Sequence, residues 1–298
     1  MLLPICKDGK WGYVDGKGEM KISPQFAAAS AFLEGLSPVK IGDKYGYIDT
    51  KGITIIPPAY DDAWGFVNDR AAVEVNGYWG FIYPDGAYLI EPAFDEVGDF
   101  VEEPVLVNID GKFGYVDRNG DYVIDPQFPA ADLFSEGLAP VKVDDAFAYI
   151  NADGVVVIPA SFTHAYPFSE GLARVEIGDT IGFIDKQGRG VFQTDFTDAG
   201  DFSDGLCDFE KNDRWGFVDT NGKIAIPAKF HGACEFSNGL AAVKDGAKYG
   251  YIDRTGAFII PAMFDHALQF VDGIARVMIH GAWAYVDTRG DFLWKPSR

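Results

Sequence analysis

One motif recurs through the whole chain at a fixed interval, and it limits the fold more than any other feature. Trp11-Gly12-Tyr13-Val14-Asp15 returns as Tyr45-Gly46-Tyr47-Ile48-Asp49 and Trp79-Gly80-Phe81-Ile82-Tyr83, then from Phe113, Phe147, Ile181, Trp215, Tyr249 and Trp283. Every step is 34 residues, eight times in succession, with no insertion or deletion. A strict period of this size means a tandem array of small supersecondary units. With the first aromatic as position 1, position 3 is Tyr or Phe in all nine copies and position 8 is Gly in all nine. Positions 16 and 22 are aromatic in all eight copies that reach them, so positions 1, 3, 16 and 22 hold 33 of the 44 aromatic residues. The high aromatic content therefore reads as one core packed repeatedly.

Each copy reads as three short strands. Gly137 to Val143 alternates apolar residues and is rich in Val, Phe147-Ala148-Tyr149-Ile150 follows after a polar turn, and Tyr122-Val123-Ile124 represents the third strand. Asp at position 5 with Gly at position 8 suits a tight turn. A Pro at position 13 or 14, present in eight of nine copies, is expected to end the third strand. The small residue at position 2 is expected to leave room for a neighbouring ring, and positions 17 to 24 to form a packed linker. Leu2 to Cys6 align with Leu36 to Lys40, and Phe292-Leu293-Trp294-Lys295-Pro296 falls inside or just after a third strand. Such units bury their apolar faces only by stacking on neighbours. The expected fold is all-β: one domain over residues 1–298, made of nine three-stranded antiparallel units starting near residues 1, 35, 69, 103, 137, 171, 205, 239 and 273. An open superhelical solenoid is the expected arrangement, and a closed, propeller-like ring is the alternative.

Lys10-Trp11-Gly12-Tyr13-Val14-Asp15, with Gly18, Ile22, Pro24 and Phe32-Leu33-Glu34-Gly35-Leu36, resembles the bacterial WG-repeat family over nearly the whole chain. The departures are Ile181 at position 1, Ala148 and Ala284 at position 2, and Tyr83 and Asn151 at position 5. The resemblance implies a β-rich repeat scaffold and carries over no catalytic residue. The hairpins also loosely resemble the aromatic hairpins of choline-type cell-wall-binding repeats.

Charge narrows the partner. Lys and Arg number 25 against 45 Asp and Glu, a net charge of −20, which disfavours nucleic acid and anionic membrane surfaces. Cys6, Cys207 and Cys234 form no close pair and no zinc spacing. The N-terminus has neither a basic leader nor a long apolar stretch, and no apolar run approaches 18 residues, so a cytoplasmic protein is expected.

No catalytic constellation stands out. His164 and His266 share position 18 and His231 holds position 17, but with His280 they form no metal-binding spacing. The repeated Asp at position 5 is better explained by turns than by calcium. No nucleotide-binding loop or nucleophile elbow occurs, so no enzyme, cofactor or metal is expected. The sixth copy breaks the pattern: Ile181 replaces the aromatic, Gln193-Thr194 replace the Pro, and acids are dense through Asp195, Asp198, Asp201, Asp204, Asp208 and Glu210. Sites often sit where a repeat breaks its own rule. Asp195, Asp198, Asp201 and Asp204, with Trp64 and Tyr166 at linker position 20, are therefore the candidate partner-binding residues. The expected function is a non-enzymatic protein-binding scaffold with an acidic surface and a basic protein partner; the alternative is a carbohydrate- or cell-envelope-binding protein using exposed aromatics.

Overall fold

Alternating side chains and closely spaced turn residues make each copy an antiparallel meander. In a computed structural model describing residues 1–295, the second copy runs as strands Leu36–Ile41, Lys44–Asp49 and Thr54–Tyr60. The first hairpin is a two-residue turn; at Asn76-Gly77, Asp110-Gly111 and His280-Gly281 both residues have positive φ, the left-handed geometry that matches strand twist. The second turn is built by the position 5 carboxylate. Asp49 Oδ1 accepts the N–H groups of Lys51 and Ile53 at 2.9 and 2.8 Å, while Gly52 takes φ +82° and donates to the Asp49 carbonyl.

Three local expectations change. The Pro does not end the third strand: Met20–Phe26, Thr54–Tyr60 and their equivalents run through it to position 16. It lies where the pairing register shifts, on a strand at the sheet edge, where a missing N–H costs no ladder bond. That irregular segment also explains the Gly at position 2. A Cβ on Gly12 would fall 2.5 Å from the Ile22 carbonyl oxygen and 2.6 Å from the Pro24 nitrogen, so the room is taken by the copy's own third strand, not by a neighbour's ring. The linker, lastly, is not merely a link. Ala28–Ala29, Asp62–Ala63 or, at its longest, Asp198–Ser203 pairs with the first strand of the following sheet, giving four strands in seven of the nine sheets.

The sheets meet through their faces. Tyr47, Ile56 and Tyr60 of the second sheet pack on Ala63, Phe66, Ala71, Val73 and Ile82 of the third, and the Tyr47 and Phe66 rings lie 4.9 Å apart. Tyr13 with Phe32, Phe81 with Phe100, Tyr115 with Phe134 and Tyr251 with Phe270 repeat the contact at 4.7 to 4.9 Å. Each buried ring contributes about 1.5–3 kcal/mol, so packing rather than strand pairing holds sheet to sheet. A solenoid would need successive coils to share hydrogen-bonded sheets. Among the described residues the meanders form nine separate sheets, none paired strand to strand with the next, and these are blades of the β-propeller kind. The expected superhelical solenoid is thus incorrect, and the ring-like alternative fits. By contact density the chain forms two compact units, Met1–Val143 with Ile150–Val156, and Asp144–Tyr149 with the chain from Val157 onward. Pro296, the last of the repeated prolines, lies outside the described residues.

Candidate functional site

The sixth copy, wholly inside the second compact unit, departs from the others in structure as it does in sequence. Without a Pro at position 13 or 14 its third strand keeps only one of the two register shifts seen in copies such as the second; it is Gly190–Gln193, four residues against seven in the other copies that precede the last. The Thr194 N–H and hydroxyl both donate to the Ile181 carbonyl, at 3.0 and 3.1 Å, and turn the chain off the sheet. Gly182 consequently has no backbone pressed on it; the nearest atoms to an added Cβ are 3.6 Å away. Two cavities flank the short strand. One of about 470 Å³ is walled by Phe192, Phe196, Phe209, Ile224 and Pro227, with Asp195 and Lys211 among its polar lining; the other, about 450 Å³, is lined by Phe162, Gly182, Phe183 and Phe192.

The candidate residues take separate roles. Asp195 is exposed and ion-paired with Lys211 at 2.6 Å, which holds its carboxyl below the usual carboxylate range. Asp198 accepts the Arg174 guanidinium at 3.1 Å and the Ala199 N–H at 2.8 Å. Asp204 has φ +51° and accepts the Gly239 N–H at 2.8 Å, a bond reaching the next copy. Glu34, Glu102, Glu170 and Asn238 at the same position do likewise, so position 24 is a structural latch in these copies. Trp64 is 38% exposed and leans on Trp79, ring centres 5.1 Å apart; Tyr166 is half-buried beneath Arg174. Trp64 lies in the first compact unit, apart in sequence from the acidic linker of the sixth copy.

A polar string crosses the first two strands of the sixth sheet and reaches the first strand of the seventh. His164 Nδ1 lies 3.1 Å from Glu176, the Tyr166 hydroxyl donates to Glu176 at 3.0 Å, and the Arg174 guanidinium sits 3.6 Å over the Tyr166 ring before reaching Asp198. One copy later, Asp208 fills the position of Arg174. It is 6% exposed, lies against Gly200, and its Oδ1 has no hydrogen-bond partner. Burial, then the charges of Glu235, Asp198 and Asp201, push its carboxyl up to about 7. Burial likewise raises Glu235. The sequence carries a signal for Arg174: position 28 is Pro, Ala or Leu everywhere except Arg174, Asp208 and Arg276.

The remaining histidines are scattered. His231 Nδ1 accepts the Gly246 N–H, His266 stacks on Tyr249 at 5.3 Å, and His280 occupies a hairpin turn. Among the described residues no three His, Cys, Asp or Glu side chains group as metal ligands, and no helix is long and apolar enough to cross a membrane.

Repeated blades of three or four strands define a repeat β-propeller-like scaffold. The chain belongs to the WG containing repeat family, whose profile matches residues 11–45, 45–79, 79–113, 113–145, 147–180, 181–215, 215–249 and 249–283. No curated protein matches the sequence. Among solved structures, a eukaryotic initiation factor superimposes with a TM-score of 0.62 at 10% identity, over 98% of this chain and 94% of that one. The dihydro-heme d1 dehydrogenase NirN, in complex with DHE, gives 0.49 at 15% identity over 88% and 73%. Hsv2 of Kluyveromyces lactis gives 0.42 at 9% identity over 62% and 70%. At 10% identity the likeness to the initiation factor concerns fold alone.

Proposed function

We propose that this protein is a non-enzymatic scaffold of the cytoplasm whose acidic surface binds a basic segment of another protein. The observation that carries the reading is the sixth-copy linker. Asp195 lines an open cavity and Asp198 and Asp201 stand on the strand that follows it, Asp198–Ser203, in a chain of net charge −20. A field of one sign speeds encounter with an oppositely charged partner and is screened beyond about 8 Å at physiological salt. Carbohydrate binding has less support, because the repeated rings at positions 3 and 22, from Tyr13 to Phe270, are largely buried and offer no open platform.

The test is an association-rate series with a lysine-rich peptide and its uncharged counterpart, from about 50 to about 500 mM salt. Association should slow as salt rises, and Asp198→Asn with Asp201→Asn should slow it further at low salt. A salt-independent rate that ignores both changes would leave the charge with solubility alone. Asp204 is a poor choice for this test, since its carboxylate already serves the next copy.

A further inference from the structure

The cavity of about 470 Å³ is lined by Ile224, whose counterparts at position 10 in regular copies pack against the position 16 ring of the preceding copy. In regular copies the position 16 ring is wedged between the position 3 ring of its own sheet and the position 10 residue of the next. Tyr60 lies 6.4 Å from both Tyr47 and Tyr88, Phe94 lies 6.4 Å from both Phe81 and Tyr122, and Phe264 lies 6.3 Å from both Tyr251 and Phe292. Phe196 is the position 16 ring of the sixth copy, and it has left this place; Phe192 stacks on the position 3 ring, Phe183, at 4.8 Å, and the side towards Ile224 stays open. Phe196 stacks flat on Phe209 instead, with centres 4.1 Å apart and planes at 16°. Ile224, the position 10 residue that would have met it, walls the cavity with Phe192, Gly222, Pro227 and Ala228.

We propose that this seat receives an aromatic side chain carried by a basic segment of the partner. The inference rests on the scaffold reading above and gives it a specific contact. Shape argues for the ring: seven sister copies place Phe or Tyr at position 16, and the volume falls within the range of about 300–1,000 Å³ usual for ligand pockets. Charge argues for its neighbours. Residues 195 to 213 contain seven acids and one base, Lys211, and that base is held by Asp195 at the cavity wall. A Lys or Arg next to the incoming ring can take over Asp195 and release Lys211 to solvent. An aromatic anchor in an apolar pocket with a charged rim is the usual anatomy of an interface hot spot.

The experiment follows the Ile224 methyl signal by NMR while the full chain is titrated with N-acetyl-Trp-Arg amide, N-acetyl-Trp-Glu amide and N-acetyl-Gly-Arg amide. The first should shift Ile224 saturably and bind roughly fivefold more tightly than the second, the size of one exposed charge pair. Ala228→Leu, which fills the seat, should weaken binding roughly tenfold at unchanged melting temperature. Ile224→Ala serves as a second variant, removing a wall without filling the space, and should also weaken it. An unmoved Ile224 signal, or Ala228→Leu binding as well as the parent, overturns the seat. Equal affinity for the Arg and Glu ligands overturns the basic segment. Salt-dependent binding of N-acetyl-Gly-Arg amide without a shift at Ile224 sinks the seat while leaving the acidic-scaffold reading intact.

Discussion

The Tyr47 hydroxyl donates to the backbone carbonyl of Trp64 at 2.8 Å, 17 residues along the chain, and so ties a buried ring to the linker that begins the next blade. Tyr13 with Ser30, Tyr115 with Asp132, Tyr149 with Tyr166 and Tyr251 with Leu268 repeat the bond at the same spacing. Tyr47→Phe should keep the packing and leave that carbonyl short of a donor, lowering stability by about 1 kcal/mol. Urea unfolding measures it. Phe81→Tyr, in a copy that does without the hydroxyl, should not lower stability by a comparable amount.

Glycine at position 2 answers to the third strand of its own copy. Gly46→Ala sets a Cβ 2.5 Å from the Ile56 carbonyl oxygen, whereas Gly182→Ala meets nothing closer than 3.6 Å. The first should cost about 1–3 kcal/mol and the second under about 0.5 kcal/mol. The ceiling is modest because Ala148 and Ala284 show that the strand can give way. Paired thermal melts of the two variants check the contrast.

Asp208 should make stability depend on pH in an unusual direction. Its folded value of about 7 exceeds the ordinary 3.8, chiefly through burial, so between these values the folded chain holds a proton that the unfolded chain releases. Its contribution is fully present below about pH 4, falls as pH rises towards about 7, and changes no further above that. Asp15, held low by the Glu19 N–H, and Asp61, held low by Lys44, act oppositely, losing stability as acid protonates them. Asp208→Asn should flatten the slope between pH 4 and 7 and raise the urea midpoint at pH 8. An unchanged slope would show that the carboxyl is not the titrating group.

Glu34 accepts the N–H groups of Asn68 and Asp69 at 2.7 and 2.9 Å, spanning one full repeat. Glu34→Ala should cost about 1 kcal/mol, limited by the solvent exposure of the turn. Hydrogen exchange should quicken first at Asn68 and Asp69, before the core strands respond.

Much of this protein follows from the order of its residues alone. Alternation at Val39 and Tyr47, positive φ at Gly52, and the two N–H groups gathered by Asp49 are local events, settled within a few residues. A period of 34 with no slip then repeats them nine times, so strands, turns and the buried rings of positions 3 and 22 are legible before any fold is known. The unusual sixth copy is legible too, because a sister copy states the rule it breaks. What the chain alone does not say is which surface meets which. Whether Tyr47 and Phe66 join one continuous sheet or two stacked blades depends on the path between copies, and only the tertiary structure decides it. For the same reason the linker emerged as a fourth strand, position 24 as a latch, and Asp208 as a carboxyl buried against Gly200. The seat left by Phe196 is likewise a property of two sheets at once: the missing Pro frees the ring, but Phe209 and Ile224, from the neighbouring blade, determine where it goes and what it leaves open.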